Sequence, residues 1–209
     1  MNSRPSRNPG PWRVSTPGRV CLFGEHQDYL DLPVISAAIS LRLRIEGRLR
    51  PDLHVRVNAL DITNDFGFDL DAPPDGTGGL GGTGGLGGID GIGGMGWRKF
   101  LLNGVEVLRR RGYTFSRGFD CTIRGNIPIR GGTSSSSAMV VSWINLVARM
   151  SDQGTELSAE ECALLAHMAE VVEAGGVGGK MDQYATAVGG VLFQSFFPKT
   201  RVEPLPARL

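Results

Sequence analysis

Asn126 to Ala138 read NIPIRGGTSSSSA, a strand end, a loop of small residues and a helix start in succession. Gly131 and Gly132 let backbone N–H groups approach an anion closely, and the helix that follows adds its own unsatisfied N–H groups and positive dipole end. The hydroxyls of Thr133 and of Ser134 to Ser137 stand at that mouth, where they can bind phosphate oxygens or Mg²⁺. The G-x-x-x-x-G-K-[ST] spacing of a Walker loop is absent. A Ser-rich helix cap with no ligand is the plainer alternative, and these residues alone leave both open.

Outward from this stretch the elements follow from periodicity. Upstream, Phe119, Cys121 and Ile123 alternate as a strand does. Downstream, a helix is predicted over 135–150, and Ser158 with Glu161 forms a capping box opening another over 159–174. A Gly-rich turn, a short helix over 181–187 and the strand GVLFQSFF come next. Further upstream, Phe100, Leu101, Val105 and Leu108 fall at helical spacing, Arg109 to Arg111 suit the C-terminal dipole, and Gly112 is a stop. In the first third, Arg13 to Gly24 is predicted as two short strands around a Pro17-Gly18 turn. Leu41 to Glu46, Leu53 to Val57 and Phe66 to Leu70 alternate as strands with one wet face. Strands first, then strand, loop, helices and strand, is the order of an α+β domain.

Composition sets limits. Of 209 residues, 41% are hydrophobic and 21% charged, with a net charge of +1; the chain is an ordinary globular one with no basic field to attract nucleic acid or a membrane surface. No apolar run approaches the roughly 20 residues of a membrane span. Three widely spaced cysteines suggest a reducing compartment, so a cytoplasmic location is expected. Residues 1–12 are expected to be a flexible N-terminus, and the Gly-rich run 73–96 a flexible insertion, since it has little side-chain surface to bury.

Two other segments cluster chemistry. Pro17 to Tyr29 read PGRVCLFGEHQDY, with Glu25, His26 and Asp28 beyond a strand end. Carboxylates and an imidazole so placed can hold several hydroxyls of a polyol; a solvated acidic loop is the plainer alternative, and a lone His with acids is a weak metal pattern. Further on, AEVVEAGGVGGKMDQ puts Asp182 at the mouth of a short helix. There it can be an ordinary first-turn acid, while Gly178 and Gly179 call for an unusual path or a close approach.

Together these segments resemble the GHMP kinases, named for galactokinase, homoserine kinase, mevalonate kinase and phosphomevalonate kinase. PGRVCLFGEHQDY resembles the galactokinase signature, PIRGGTSSSSA the family's phosphate loop and GKMDQY the galactokinase GIMDQ segment, in the family's order. The resemblance implies the N-terminal domain of that fold (ribosomal protein S5 domain 2-like), a mixed β-sheet with helices on one side. It implies an ATP- and Mg²⁺-dependent sugar kinase. Asp182 corresponds to the acid that accepts or orients the sugar hydroxyl, and Arg19 to the arginine beside it. Glu25, His26, Asp28 and Tyr29 correspond to the sugar-binding segment. Gly131, Gly132, Thr133, Ser134, Ser135, Ser136, Ser137 and Ala138 correspond to the nucleotide loop, with Ser136 and Glu170 holding Mg²⁺. A non-catalytic sugar or nucleotide sensor on the same fold is the alternative.

Some positions depart from the pattern. After the histidine motif this chain has Asp28-Tyr29-Leu30-Asp31-Leu32-Pro33 in place of D-Y-N-G-G, Gln27 replaces a threonine, and Lys180 stands where an apolar residue is common. The resemblance therefore leaves open galactose, another hexose or a uronic acid. The domain is expected over 13–197, with 198–209 the truncated start of the connection to a missing C-terminal domain; a fragment, a half that pairs with a separate C-terminal kinase half and a degenerate product are all open.

Overall fold

The computed structural model describes residues 10–61, 64–72, 96–129, 131–176 and 178–206. The predicted flexible N-terminus lies outside them up to residue 9, as does the Gly-rich run 73–96 except for Gly96, which opens the first helix.

Strand β2 (Val34–Leu49) is the spine of a seven-stranded sheet. Leu43, Ile45 and Gly47 turn inward along it while Arg44 and Arg48 stay exposed, the period-2 pattern of a sheet with one wet face. β1 (Trp12–Phe23) pairs antiparallel along one side of it. The other side is shared: β6 (Val191–Ser195) takes residues 34–37 and β5 (Phe119–Gly125) takes 43–49, both antiparallel. Outside β5 lie β3 (His54–Ala59) and β4 (Asn64–Asp69), and outside β6 lies β7 (Arg201–Pro204). β3 runs parallel to β5, so the sheet is mixed. A parallel pair needs a long crossover, and the chain between them holds β4 and α1 (Gly96–Arg110).

α1, α2 (Ser135–Met150), α3 (Ala159–His167) and α4 (Met181–Val188) complete the molecule. α2 is the central helix: Ala138, Val140, Ile144, Leu146 and Val147 are fully buried. Trp143, also fully buried, packs edge-on against Phe119 with 5.7 Å between ring centres and donates its indole N–H to the Leu101 carbonyl at 2.9 Å. A large aromatic body with its one polar group satisfied suits a core.

Three local expectations change. Pro17 and Gly18 make no turn; β1 runs through them with a register shift between Pro17 and Arg19. β1 is an edge strand, where proline's missing N–H costs no ladder bond. The helix predicted over 159–174 ends at His167 and continues as a π turn over Met168–Val172. Residues 201–204, expected to be connection, form β7 against β6. The capping box is present in full: the Ser158 hydroxyl accepts from the Glu161 N–H while the Glu161 carboxylate accepts from the Ser158 N–H.

Candidate active site

The bulge in β1 aims the centre of the site. Gly18 passes so close to the 131–134 loop that a Cβ there would lie 2.9 Å from the Thr133 carbonyl oxygen. This approach lets the Arg19 N–H donate to that carbonyl at 3.1 Å. The Arg19 side chain is buried and held at both ends. Its Nη1 donates to the Gly132 carbonyl at 2.8 Å, and its Nε and Nη2 reach Asp182 Oδ1 at 2.8 and 2.6 Å. Ser134 Oγ donates to Asp182 Oδ2 at 2.6 Å. Asp182 sits in the first turn of α4, and its side chain retains 30% exposure against 7% for Arg19, so the carboxylate faces open space and the guanidinium does not.

That space is a cavity of about 710 Å³. Arg19 and Asp182 lie at one part of its lining, the loop from Gly131 to Ser136 along another. Leu43, Trp97, Phe100, Ile123, Ile127 and Met139 supply apolar wall. A mostly apolar cleft with a few convergent polar groups is the usual form of a small-molecule site. The loop ends at the N-terminus of α2, whose first N–H groups have no partner within the helix. Ser137 and Ala138 lie past this mouth, buried in the helix, with the Ala138 N–H already bonded to the Ser134 carbonyl.

Behind the loop stands Glu170, on the π turn, a local widening that recurs at functional positions. Its carboxyl group is deeply buried although the residue as a whole is half-buried, and desolvation pushes its pKa up against the opposing hydrogen bonds of Gln183, Ser136 and Ser137. Gln183 Nε2 donates to Glu170 Oε2 at 2.7 Å, while Gln183 Oε1 is buried without a hydrogen-bond partner among the described residues. A buried carboxylate beside a serine hydroxyl, with a spare carbonyl oxygen close by, is a donor set that fits Mg²⁺, which takes one or two carboxylates and leaves its other positions to phosphates and water. No group of three or more His, Cys, Asp or Glu capable of caging a metal occurs among the described residues.

The other expected ligands do not line this cavity. Glu25 Oε1 lies 3.7 Å from Arg19 Nη2, and its side chain is half exposed. His26 and Tyr29 are exposed, their rings 6.2 Å apart. Asp28 is buried: its Oδ2 accepts the Met181 N–H at 3.0 Å, at the start of α4. Gly179 makes room for it, since a Cβ there would lie 1.8 Å from the same oxygen. Sequence reasoning missed Trp97, which it does not single out, Phe100, which it places only in a helical pattern, and Gln183, which stands in the quoted segment without a role.

Comparison with known proteins agrees with this geometry. Residues 99–190 match the family model of the GHMP kinases N terminal domain, and residues 5–48 match the galactokinase galactose-binding signature. The chain is 30% identical to a mevalonate kinase of Pyrococcus horikoshii over 92% of its own length and 53% of that protein's. It is 31% identical to a galactokinase of Actinobacillus pleuropneumoniae, over 84% of this chain and 41% of the other. The chain thus spans about half the length of these relatives. The fold is that of Lactococcus lactis galactokinase, solved with galactose (TM-score 0.74, 24% identity, 96% of this chain and 49% of that one), and of Methanococcus jannaschii mevalonate kinase (TM-score 0.71, 23% identity, 94% and 56%). Among the described residues no helix is long and apolar enough to cross a membrane. Residues 99–190 thus carry a GHMP kinases N terminal domain and residues 5–48 a galactokinase galactose-binding signature, on a fold shared with a galactokinase and a mevalonate kinase.

Proposed function

We propose that the chain is the part of an ATP-dependent sugar kinase that binds the nucleotide and supplies the acid for the acceptor hydroxyl. The observation that carries this reading is Asp182: a half-open carboxylate, held by Arg19 and Ser134, in the wall of the cavity that also contains the 131–136 loop. The loop and the start of α2 hold the phosphates of ATP, and the apolar wall around Trp97 and Phe100 takes the base. Glu170 and Ser136 would hold Mg²⁺, which would supply charge neutralisation for the phosphates. Asp182 takes the proton of the acceptor hydroxyl as its oxygen bonds to the γ-phosphorus. The bond from the γ-phosphorus to the β–γ bridging oxygen breaks, and ADP leaves with the electron pair. Arg19, fixed by two loop carbonyls, stabilises charge that builds on the transferring group.

The sugar reading rests on Glu25 beside Arg19, on Asp28 at the start of α4, and on the match of residues 5–48 to a galactose-binding signature. Asp28, engaged with Met181, serves this pocket through its shape more than as an open ligand. A hydroxylated acid is the second substrate class, favoured by the mevalonate kinases among the relatives. The test is ADP release from ATP·Mg²⁺ against hexoses, uronic acids and mevalonate, with the chain alone and with the complementary C-terminal half of a relative. Turnover of one hexose that falls about 10²- to 10⁴-fold in Asp182→Ala supports the reading. Turnover of mevalonate alone shifts it to the second class, and absence of nucleotide binding by the chain overturns it.

A further inference from the structure

Ser134 opens α2 in a way that a cap serine does not. Its backbone is left-handed, at φ 55° and ψ 46°, and its side chain makes no cap bond to the helix. A non-glycine residue held in that region is strained and persists only where its surroundings insist on it. Here the hydroxyl, 9% exposed as a residue, is spent on Asp182 Oδ2 at 2.6 Å, across 48 residues of sequence. A serine hydroxyl has one proton to donate. While it points at Asp182 it cannot be donated to a phosphate oxygen.

The carboxylate can then be accounted for one lone pair at a time. An ionised carboxylate accepts at about four positions. Arg19 Nε donates to Oδ1, with Nη2 in ion-pair contact with the same oxygen, and Ser134 occupies one position on Oδ2. That leaves a position on Oδ2, on a side chain that lines the cavity.

We propose that Ser134 is a positioning residue for Asp182 and not a ligand of the nucleotide, and that the remaining lone pair of Oδ2 is the one that receives the acceptor hydroxyl. This rests on the kinase reading for the role of Asp182 but makes a separate statement about the 131–138 loop. The loop has two faces: its N–H groups and later serines serve the nucleotide, while the Gly132 and Thr133 carbonyls and the Ser134 hydroxyl hold the Arg19–Asp182 pair.

Ser134→Gly separates the alternatives, because glycine removes the hydroxyl while tolerating the left-handed backbone, so its melting temperature stays within about 3 °C of wild type. Ser134→Ala removes the hydroxyl and keeps the strain. Both variants should lower kcat about 10- to 100-fold by loosening Asp182 and leave the KM for ATP within about twofold. Affinity for Mg²⁺ with a non-hydrolysable ATP analogue, measured by calorimetry, should likewise be unchanged. Melting-temperature shifts of Asp182→Ala and Ser134→Gly should be non-additive, as expected for groups in contact. If wild type turns over no substrate, the analogue affinity and the melting cycle still decide the role of Ser134; if it binds no nucleotide, the kinase reading fails and the melting cycle alone decides it. A tenfold loss of analogue affinity in Ser134→Gly, or additive melting shifts, overturns the proposal.

Discussion

Gly179 shows how little room the site leaves at the scale of one residue. A methyl group there would sit 1.8 Å from Asp28 Oδ2, the oxygen that accepts the Met181 N–H. Gly179→Ala must push the carboxylate off the start of α4, the helix that carries Asp182. Overpacking of this kind costs about 1–3 kcal/mol, so urea denaturation should show that loss, together with reduced turnover from a displaced Asp182. Wild-type stability in this variant would mean that Asp28 can swing away without consequence. The contact also marks what could be foreseen. Asp182, Arg19 and Glu25 each stand in a motif that singles them out, and the structure brings the three side chains together. The bonds from Asp28 to Met181, 153 residues apart, and from Ser134 to Asp182 were not legible, since no local pattern records which distant backbone group a carboxylate will meet.

Among the elements, α3 was the easiest to foresee and the one whose end went wrong. Its start is written in Ser158 and Glu161, and the structure forms both reciprocal bonds. Ser158→Ala should cost about 1 kcal/mol of stability in chemical denaturation, without affecting nucleotide affinity, because the cap is remote from the cavity lining. A loss of binding with no loss of stability would contradict that separation. The far end carries no comparable sign: the apolar pattern continues past His167, yet the chain widens into the π turn that presents Glu170 toward Ser136 and Ser137. One inserted residue shifts the helix face without changing its composition, so periodicity cannot show it. The same holds for β1, where Pro17-Gly18 has turn chemistry but lies on an edge strand that absorbs it as a bulge.

In the whole molecule, the sequence order of strands and helices was readable but the sheet order β4-β3-β5-β2-β6-β7 was not. The parallel pairing of β3 with β5 joins segments on either side of α1, and β2 is long enough to serve two partners on one side; neither fact has a local signature. Once formed, this architecture buries Glu170 behind the 131–136 loop, and that placement should be visible in the pH dependence of the entire fold. Desolvation raises the folded pKa of Glu170 above its ordinary value, so the native state holds this proton more tightly than the unfolded chain. Its contribution to stability is therefore full below the unfolded pKa and is lost as pH rises through the raised folded value. Asp152, whose pKa is lowered by the Ser116 hydroxyl, acts in the opposite sense, with stability lost as pH falls. Glu170→Gln keeps an acceptor for Gln183 and removes the charge. Without metal it should melt a few degrees above wild type near pH 8, with the difference vanishing by about pH 4. Adding Mg²⁺ and nucleotide should reverse the order, because ligand that binds only the native wild-type site stabilises it by mass action. A variant that melts below wild type at pH 8 without ligand would show that Glu170 is a structural anchor and not a charge stored for a metal.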